Sequence, residues 1–263
     1  MKRIFFGVII LLFLVLVFVF RRKSTYEGLD EMYVLRAHKI DEQTTKIWEK
    51  MLIEFPEDRC FMIFDNTRNS MTDEFMTKYP SKIITHTEDD CKKMNPLHEA
   101  IYSNVEATVV ITYDALPTKS GFVWFIENDI YCDGNFSKAL NIGDTQSDFI
   151  TTHLRRYDEE PTWGRFVEFK GEIANIENSK KMACIFPIIR CSRLMIDLLR
   201  DNMGKSSGFC EGYFPTLAST HGLTCENMPP DKLGKFTNLE NVRLSNLPHN
   251  GDNKLYHKFV CST

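Results

Sequence analysis

The sequence holds no C-x-x-C pair, no G-x-x-x-x-G-K-[ST] loop and no G-x-G-x-x-G fingerprint. The first absence removes a zinc ribbon and a thioredoxin-like redox site. The other two remove the usual support for ATP and dinucleotide binding, which needs closely spaced glycines so that backbone N–H groups reach the phosphates. Histidine is scarce, at 7 scattered residues. That is a thin supply for a metal-dependent phosphoesterase, which draws on many His and Asp ligands. No internal repeat, low-complexity tract or interdomain linker is visible, so repeat arrays and loosely tethered modules find no support. Long apolar runs are missing too, with one exception.

That exception extends from Ile4 to Phe20, preceded by Lys2-Arg3 and closed by Arg21-Arg22-Lys23. As a helix it would be roughly 25 Å long, adequate for a thin secretory-pathway bilayer. No small-residue cleavage site follows Phe20, so residues 4–20 are expected to remain as an uncleaved signal anchor in the membrane. Cations on both sides leave the positive-inside rule with little to discriminate. The expected organisation is a tail and anchor over 1–23, a short polar stem over 24–30, and one soluble domain over 31–263. All 36 Asp and Glu follow Lys23, together with all but five of the 32 Lys and Arg, so residues 24–263 carry a net charge of −9. Such an acidic domain is a poor partner for nucleic acid, whose affinity comes from cations on phosphates. Its length suffices for one large core. All 8 cysteines lie in it. An even count behind an anchor suits a lumenal domain with some disulfides, the alternative being buried free thiols. The connectivity cannot be deduced from spacing.

The segment Gly121 to Gly134, GFVWFIENDIYCDG, carries the most chemistry. Phe122 to Ile126 is apolar and aromatic, as in a strand buried on both faces. It stops at Glu127-Asn128-Asp129. A buried carboxylate costs several kcal/mol unless paired or bound to a cation. By strand period the two acids point the same way, a seat for a hard divalent ion that prefers oxygen ligands. The competing reading is ordinary turn chemistry, because Asn and Asp favour turns. Asn135-Phe136-Ser137 is the single glycosylation sequon, and its closeness to this triplet argues against its use.

Along the chain, MYVLRAH reads as a first strand, followed by a helix capped by Asp41 and running toward Glu54. CFMIF (60–64) is a second buried strand, Thr72 to Tyr79 a short helix, and Lys82 to Thr85 a third strand. Pro96 to Ala107 has helical spacing at Leu97, Ala100 and Ile101, whereas TVVITY (108–113) fits either a helix end or a strand. After the 121–127 strand come a short helix at 136–140 and a strand at 148–154. Strands alternating with helical patterns predict an α/β sheet. In such sheets ligands sit beyond the carboxyl ends of the strands. The polar residues there are Arg36-Ala37-His38, Asp65-Asn66-Thr67 and Glu127-Asn128-Asp129. His38 is placed to meet a phosphate or ribose and Asp65 to accept from a base or ribose, unless both serve as caps or turn residues.

The second half adds ACIFPII (183–189), a helix from Leu194 to Asn202, a glycine-flanked loop from Gly204 to Gly208, and the helical segment FCEGYFPTLAS. Glu211 lies among Phe209, Cys210, Tyr213 and Phe214. An acid amid aromatics is a place where a general base is tuned; the plainer role is a first-turn acid favoured by the helix dipole. Asp148 and Glu168 are the next candidates for a base. Trp163 either stacks on a sugar face or anchors the core.

With these residues in view, the chain resembles type II membrane-anchored glycosyltransferases of the GT-A class, enzymes that use nucleotide-diphospho-sugars. FIENDIYCDGNF resembles their strand, metal triplet and turn. FCEGYFPTLAS resembles the E-x-x-x-P-T-L segment on the acceptor side of inverting members such as the branching N-acetylglucosaminyltransferases. The resemblance implies a GT-A-like (Rossmann-like) mixed sheet flanked by helices behind one transmembrane helix. It also implies a lumenal catalytic domain in the Golgi or endoplasmic reticulum. The donor would be a nucleotide sugar and the acceptor a glycan or glycoprotein. Asp129 would hold Mn2+ or Mg2+, Glu127 would assist through metal or ribose, and Glu211 would be the base. Arg36, His38 and Asp65 would line the donor site. The triplet here is Glu-Asn-Asp rather than Asp-x-Asp. A different class, a non-catalytic anchored ectodomain that binds carbohydrate or protein through its aromatics, fits the same anchor and cysteines.

Overall fold

A computed structural model describes residues 31–99, 104–166, 168–236, 242–243, 251–257 and 259–260. The expected anchor over 4–20 and stem over 24–30 lie outside the described residues. Among the described residues no helix is long and apolar enough to cross a membrane.

In chain order the elements are β1 (Glu31–Ala37), α1 (Glu42–Glu54), β2 (Cys60–Asp65), α2 (Asp73–Lys78), β3 (Ile83–His86), α3 (Glu88–Met94), α4 (Glu106–Ala115), β4 (Phe122–Glu127), β5 (Ile130–Asp133), α5 (Phe136–Leu140), β6 (Phe149–Arg156), β7 (Lys170–Gly171), β8 (Met182–Ser192), α6 (Arg193–Asp201), β9 (Ser206–Ser207), α7 (Cys210–Thr220), β10 (Cys225–Asn227), β11 (Leu233–Phe236), β12 (Val242–Arg243), β13 (Lys254–His257) and β14 (Phe259–Val260). The main sheet has the order β10-β6-β8-β4-β1-β2-β3. Its pairings are parallel except along β8, which runs antiparallel to both β4 and β6. This is the mixed α/β sheet expected from the alternating pattern. The carboxyl ends of β1, β2, β3, β4, β6 and β10 therefore share one edge.

The apolar runs explain why the sheet is covered on both sides. Every residue of β2 is buried, and β4 is buried from Phe122 to Ile126. One face packs Val34, Ile63, Val123 and Phe125 against α4, α6 and α7; the other packs Leu35, Phe64, Trp124 and Ile126 against α1 and α5. Fully burying such a side chain contributes about 1.5–3 kcal/mol. Trp48 of α1 and Trp124 of β4 are both fully buried on the second face, so truncating either to Ala would cost roughly 3–5 kcal/mol. A smaller sheet, β11-β13-β5, adds Leu255, Ile130 and Cys132 to that face. Helix starts follow the capping rules: Asp41 Oδ1 accepts the Thr44 N–H at 2.8 Å, and Thr87 with Asp90 forms a capping box on α3.

Two expectations are corrected. Pro96 to Glu99 is not helical, and the helix begins only at Glu106. The Asn95 side chain is the physical reason: Oδ1 accepts the N–H of Leu97 and, from a distant loop, that of Gly204, forming a turn that competes with a helical start. The ambiguous TVVITY becomes the body of α4, where burial of Thr108, Val109, Val110, Thr112 and Tyr113 outweighs their β propensity. Disulfides are also not found: the seven described cysteines are free thiols, six of them buried. Cys191 and Cys225 show why proximity is not enough. Both stand opposite Phe149, on its two flanking strands. They are thus two strand spacings apart, roughly 9.6 Å, beyond the ~7 Å reach of a disulfide. Cys261 lies outside the described residues.

Candidate functional site

Four strand ends build one crevice. Arg36, Ala37 and His38 come from the end of β1, Asp65 from β2, His86 from β3 and Glu127-Asn128-Asp129 from β4, around a cavity of about 140 Å³. The five crevice residues singled out in the sequence, Arg36, His38, Asp65, Glu127 and Asp129, thus line the same cavity. His86 was not anticipated; the strand-end signal that marked Asp65 would have marked it as well.

The triplet reaches this place by a turn rather than by strand alternation. β4 ends at Glu127, and the chain turns at Asn128 and Asp129 into β5 of the smaller sheet. Asn128 fixes that turn: its N–H donates to the Arg36 carbonyl at 3.1 Å, its side-chain amide donates to Thr44 Oγ1 at 2.9 Å, and its carbonyl accepts from Gln43 Nε2 at 2.9 Å. The backbone between the two flanking carboxylates is thereby tied to the end of β1 and the start of α1. Glu127 Oε1 accepts from Arg36 Nη1 at 3.3 Å, and Asp65 Oδ1 accepts the Thr67 N–H at 2.8 Å in a tight Asx turn. Burial lowers the pKa of His38, with Lys39 adding to the effect, and burial also lowers that of His86. Both rings are therefore held toward the neutral form, which can accept as well as donate hydrogen bonds.

A third ligand-bearing residue arrives from the far end of the chain. β13 pairs antiparallel with β5, setting His257 opposite Ile130. Its Nε2 lies 3.5 Å from Asp129 Oδ2. One ligand atom each from Glu127, Asp129 and His257 lies within 4.8 Å of the others. The local sequence LYHKFV marks a β strand and nothing more; only the β5–β13 pairing reveals the histidine's place. The trio fits a divalent cation on two grounds. Asp129 Oδ1 is buried with no hydrogen-bond partner among the described residues, an orphaned acceptor of the kind a bound ion satisfies. Two carboxylates and an imidazole suit Mn2+ or Mg2+ better than soft metals, which favour thiolates.

Glu211 lies outside the lining of this crevice, in the first turn of α7. It is 7% exposed. Oε1 accepts the N–H of Phe186 on β8 at 3.2 Å, and Oε2 stands 2.6 Å from Arg165 Nε. The Arg165 guanidinium also lies 5.0 Å from the centroid of the Phe209 ring. This close approach depends on Gly212, where a Cβ would sit 2.1 Å from the Arg165 carbonyl oxygen. The carboxylate thus rests on β8, the strand between β4 and β6. Arg36 approaches the same strand from the crevice side, 5.8 Å from the Phe186 ring centroid.

The remaining candidates separate clearly. Asp148 is occupied in structure, accepting from Ser192 Oγ at 3.1 Å and from the Thr224 N–H and Oγ1 at 2.9 Å each. Glu168 is exposed, with a left-handed φ of 66°. Trp163 packs edge-on against Phe166 at 6.1 Å. Asn135 of the sequon is the N-cap of α5, its Oδ1 accepting the Lys138 N–H at 3.0 Å.

No family model and no curated protein matches this chain. Among solved structures it is similar to mouse xyloside xylosyltransferase 1, with 12% identity over 86% of this chain and 97% of that one, TM-score 0.40. It is similar to the bifunctional glycosyltransferase WbbM, with 10% identity over 86% of this chain and 45% of that one, TM-score 0.43. It is also similar to the galactosyltransferase LgtC in complex with donor and acceptor sugar analogues, with 8% identity over 81% and 76%, TM-score 0.40.

Proposed function

We propose that this chain is a glycosyltransferase that moves a sugar from a nucleoside-diphosphate sugar to an acceptor hydroxyl, at the crevice where β1, β2 and β4 end. The observation that carries the reading is the trio Glu127, Asp129 and His257 on the rim of a cavity lined by Arg36, His38 and Asp65. A non-catalytic ectodomain would not need three converging ligands at this edge of the sheet.

In this reading the trio holds Mn2+ or Mg2+, which supplies Lewis-acid stabilisation of the negative charge on the departing diphosphate. Arg36 adds a fixed positive charge beside the same position, and Asp65 accepts from the ribose or base of the donor. The acceptor oxygen bonds to the anomeric carbon as the bond from that carbon to the diphosphate oxygen breaks. The acceptor proton passes to a carboxylate, for which Glu211 is the candidate, and the nucleoside diphosphate departs. The Glu211 carboxylate pairs with Arg165 Nε at 2.6 Å. We extend the reading to a GT-A-type fold, to anchoring through residues 4–20, and to a lumenal site in the Golgi or endoplasmic reticulum facing glycan or glycoprotein acceptors. The anchor, the acidic domain and the resemblance of FIENDIYCDGNF and FCEGYFPTLAS support that extension.

The direct test is calorimetric titration of the protein with a panel of nucleoside diphosphates, with and without Mn2+, followed by screening nucleotide sugars for hydrolysis. Metal-dependent binding of one diphosphate is the expected result. Absence of binding across the panel in both conditions overturns the reading.

A further inference from the structure

A second cavity, of about 340 Å³, opens on the same carboxyl edge of the sheet, where β6 and β10 end. His153 and Arg155 of β6 line it together with Met228, Pro230, Leu233 and Gly234 of the following segment. The backbone at His153 is left-handed, with φ 53°. For a residue with a Cβ that conformation costs about 1–2 kcal/mol. The ladder between β6 and β8 is correspondingly irregular on both sides of Thr152. Asn227 braces the kink by accepting the Leu154 N–H at 2.6 Å. His153 Nδ1 is buried and has no hydrogen-bond partner among the described residues. Strain that re-aims a ring and leaves its nitrogen unsatisfied is more typical of ligand contacts than of packing. Burial lowers the pKa of His153, and Arg155 adds to the effect, so the ring meets a ligand as a neutral donor and acceptor. Arg155 spends one N–H on the Leu154 carbonyl, at 3.1 Å, which leaves further guanidinium donors. Met228, Pro230 and Leu233 supply the apolar part of the lining.

The position connects this cavity to the crevice. Only β8 separates β6 from β4, roughly 10 Å across the sheet, and past the level of Arg190 β6 runs three residues further than β4, so the two strand ends are roughly 14 Å apart on the same edge. β11, which supplies Leu233 and Gly234, pairs with β13, the strand that carries His257. Gly234 is packed so closely that a Cβ would meet the Tyr256 ring at 2.1 Å.

We propose that this second cavity is the acceptor subsite and takes a pyranoside, its hydroxyls on His153 and Arg155 and its apolar face on Pro230 and Leu233. The proposal rests on the glycosyl-transfer reading and names where the second substrate sits. It is tested on the full chain by titrating nitrophenyl pyranosides (glucoside, galactoside, mannoside, xyloside and N-acetylglucosaminide), followed by NMR saturation transfer. The variants are Arg155→Met, a surface change that leaves the strand intact, and His153→Asn, whose side chain tolerates the left-handed backbone. At least one pyranoside should bind, and each variant should weaken it five-fold or more while binding of uridine or guanosine diphosphate with Mn2+ stays as in the wild type. Equal pyranoside binding by wild type and both variants overturns the assignment. So does no pyranoside binding by a protein that still takes a nucleoside diphosphate. Failure of both ligands overturns the glycosyl-transfer reading and this inference with it.

Discussion

His257 Nε2 lies 3.5 Å from Asp129 Oδ2, although most of the second half of the chain separates the two residues. The antiparallel β5–β13 pair makes the contact, so β13 completes a site that β4 begins. The cation trio therefore depends on the docking of the small sheet as much as on the main one.

From that dependence follows the first prediction. Asp129→Asn, Glu127→Gln and His257→Ala should each reduce Mn2+ affinity, measured by calorimetry, and lower turnover by roughly 10²–10⁴-fold, since the ion supplies several kcal/mol of transition-state stabilisation. Glu127→Gln should be as severe as Asp129→Asn. A mild Glu127→Gln phenotype with normal Mn2+ affinity would move Glu127 from the metal to the donor ribose.

The second prediction separates chemistry from binding. Glu211→Gln keeps the shape of the side chain and the hydrogen bond to Phe186 but loses the charge. It should lower kcat by about 10²–10⁴-fold, the range of a positioned base, while nucleoside-diphosphate affinity is unchanged. If kcat persists and only the melting temperature falls, Glu211 is a brace for Arg165 and the base lies elsewhere.

The third prediction concerns stability and pH. Glu106 is fully buried, and desolvation pushes its pKa up from 4.5 to about 7. Its Oε1 accepts from Asn95 Nδ2 at 2.9 Å and Ser207 Oγ at 2.8 Å, whereas Oε2 has no hydrogen-bond partner among the described residues. Between those two pH values the folded chain holds a proton that the unfolded chain has released. Stability is therefore greatest below about pH 4.5 as far as this group is concerned, falls as pH rises to about 7, and is flat above. The integrated loss is roughly 3 kcal/mol. Glu106→Gln should abolish that slope in urea denaturation between pH 5 and 8. A slope of unchanged size in the variant assigns it to other groups.

A fourth prediction addresses residues 4–20. In sealed microsomes the domain from residue 31 onward should resist protease until detergent is added. Digestion without detergent would place it in the cytosol and end the lumenal assignment.

Much of the main sheet was legible because its strands are short apolar runs that end in polar clusters. CFMIFD, FVWFIEND and MYVLRAH announce both burial and the edge at which ligands gather. The crevice residues Arg36, His38, Asp65, Glu127 and Asp129 come from that rule. What escaped depends on distant pairing or side-chain competition. His257 acquires meaning only through β5, the helical start expected at Pro96 gave way to an Asn95 turn over Pro96 to Glu99, and the kink at His153 has no local glycine to signal it. The cysteines misled because their even number said nothing of strand spacing, which holds Cys191 and Cys225 on opposite sides of Phe149.

Gly212 gives the chain an unforgiving position. Its missing side chain is what lets the Arg165 carbonyl settle beside the first turn of α7, and with it the guanidinium against Glu211. A one-methyl change there would leave Arg165 and Glu211 themselves intact and still push the one away from the other. Loss-of-function alleles should therefore accumulate at a residue with no chemistry of its own, and surveys that score only acids, bases and ligands would pass it by.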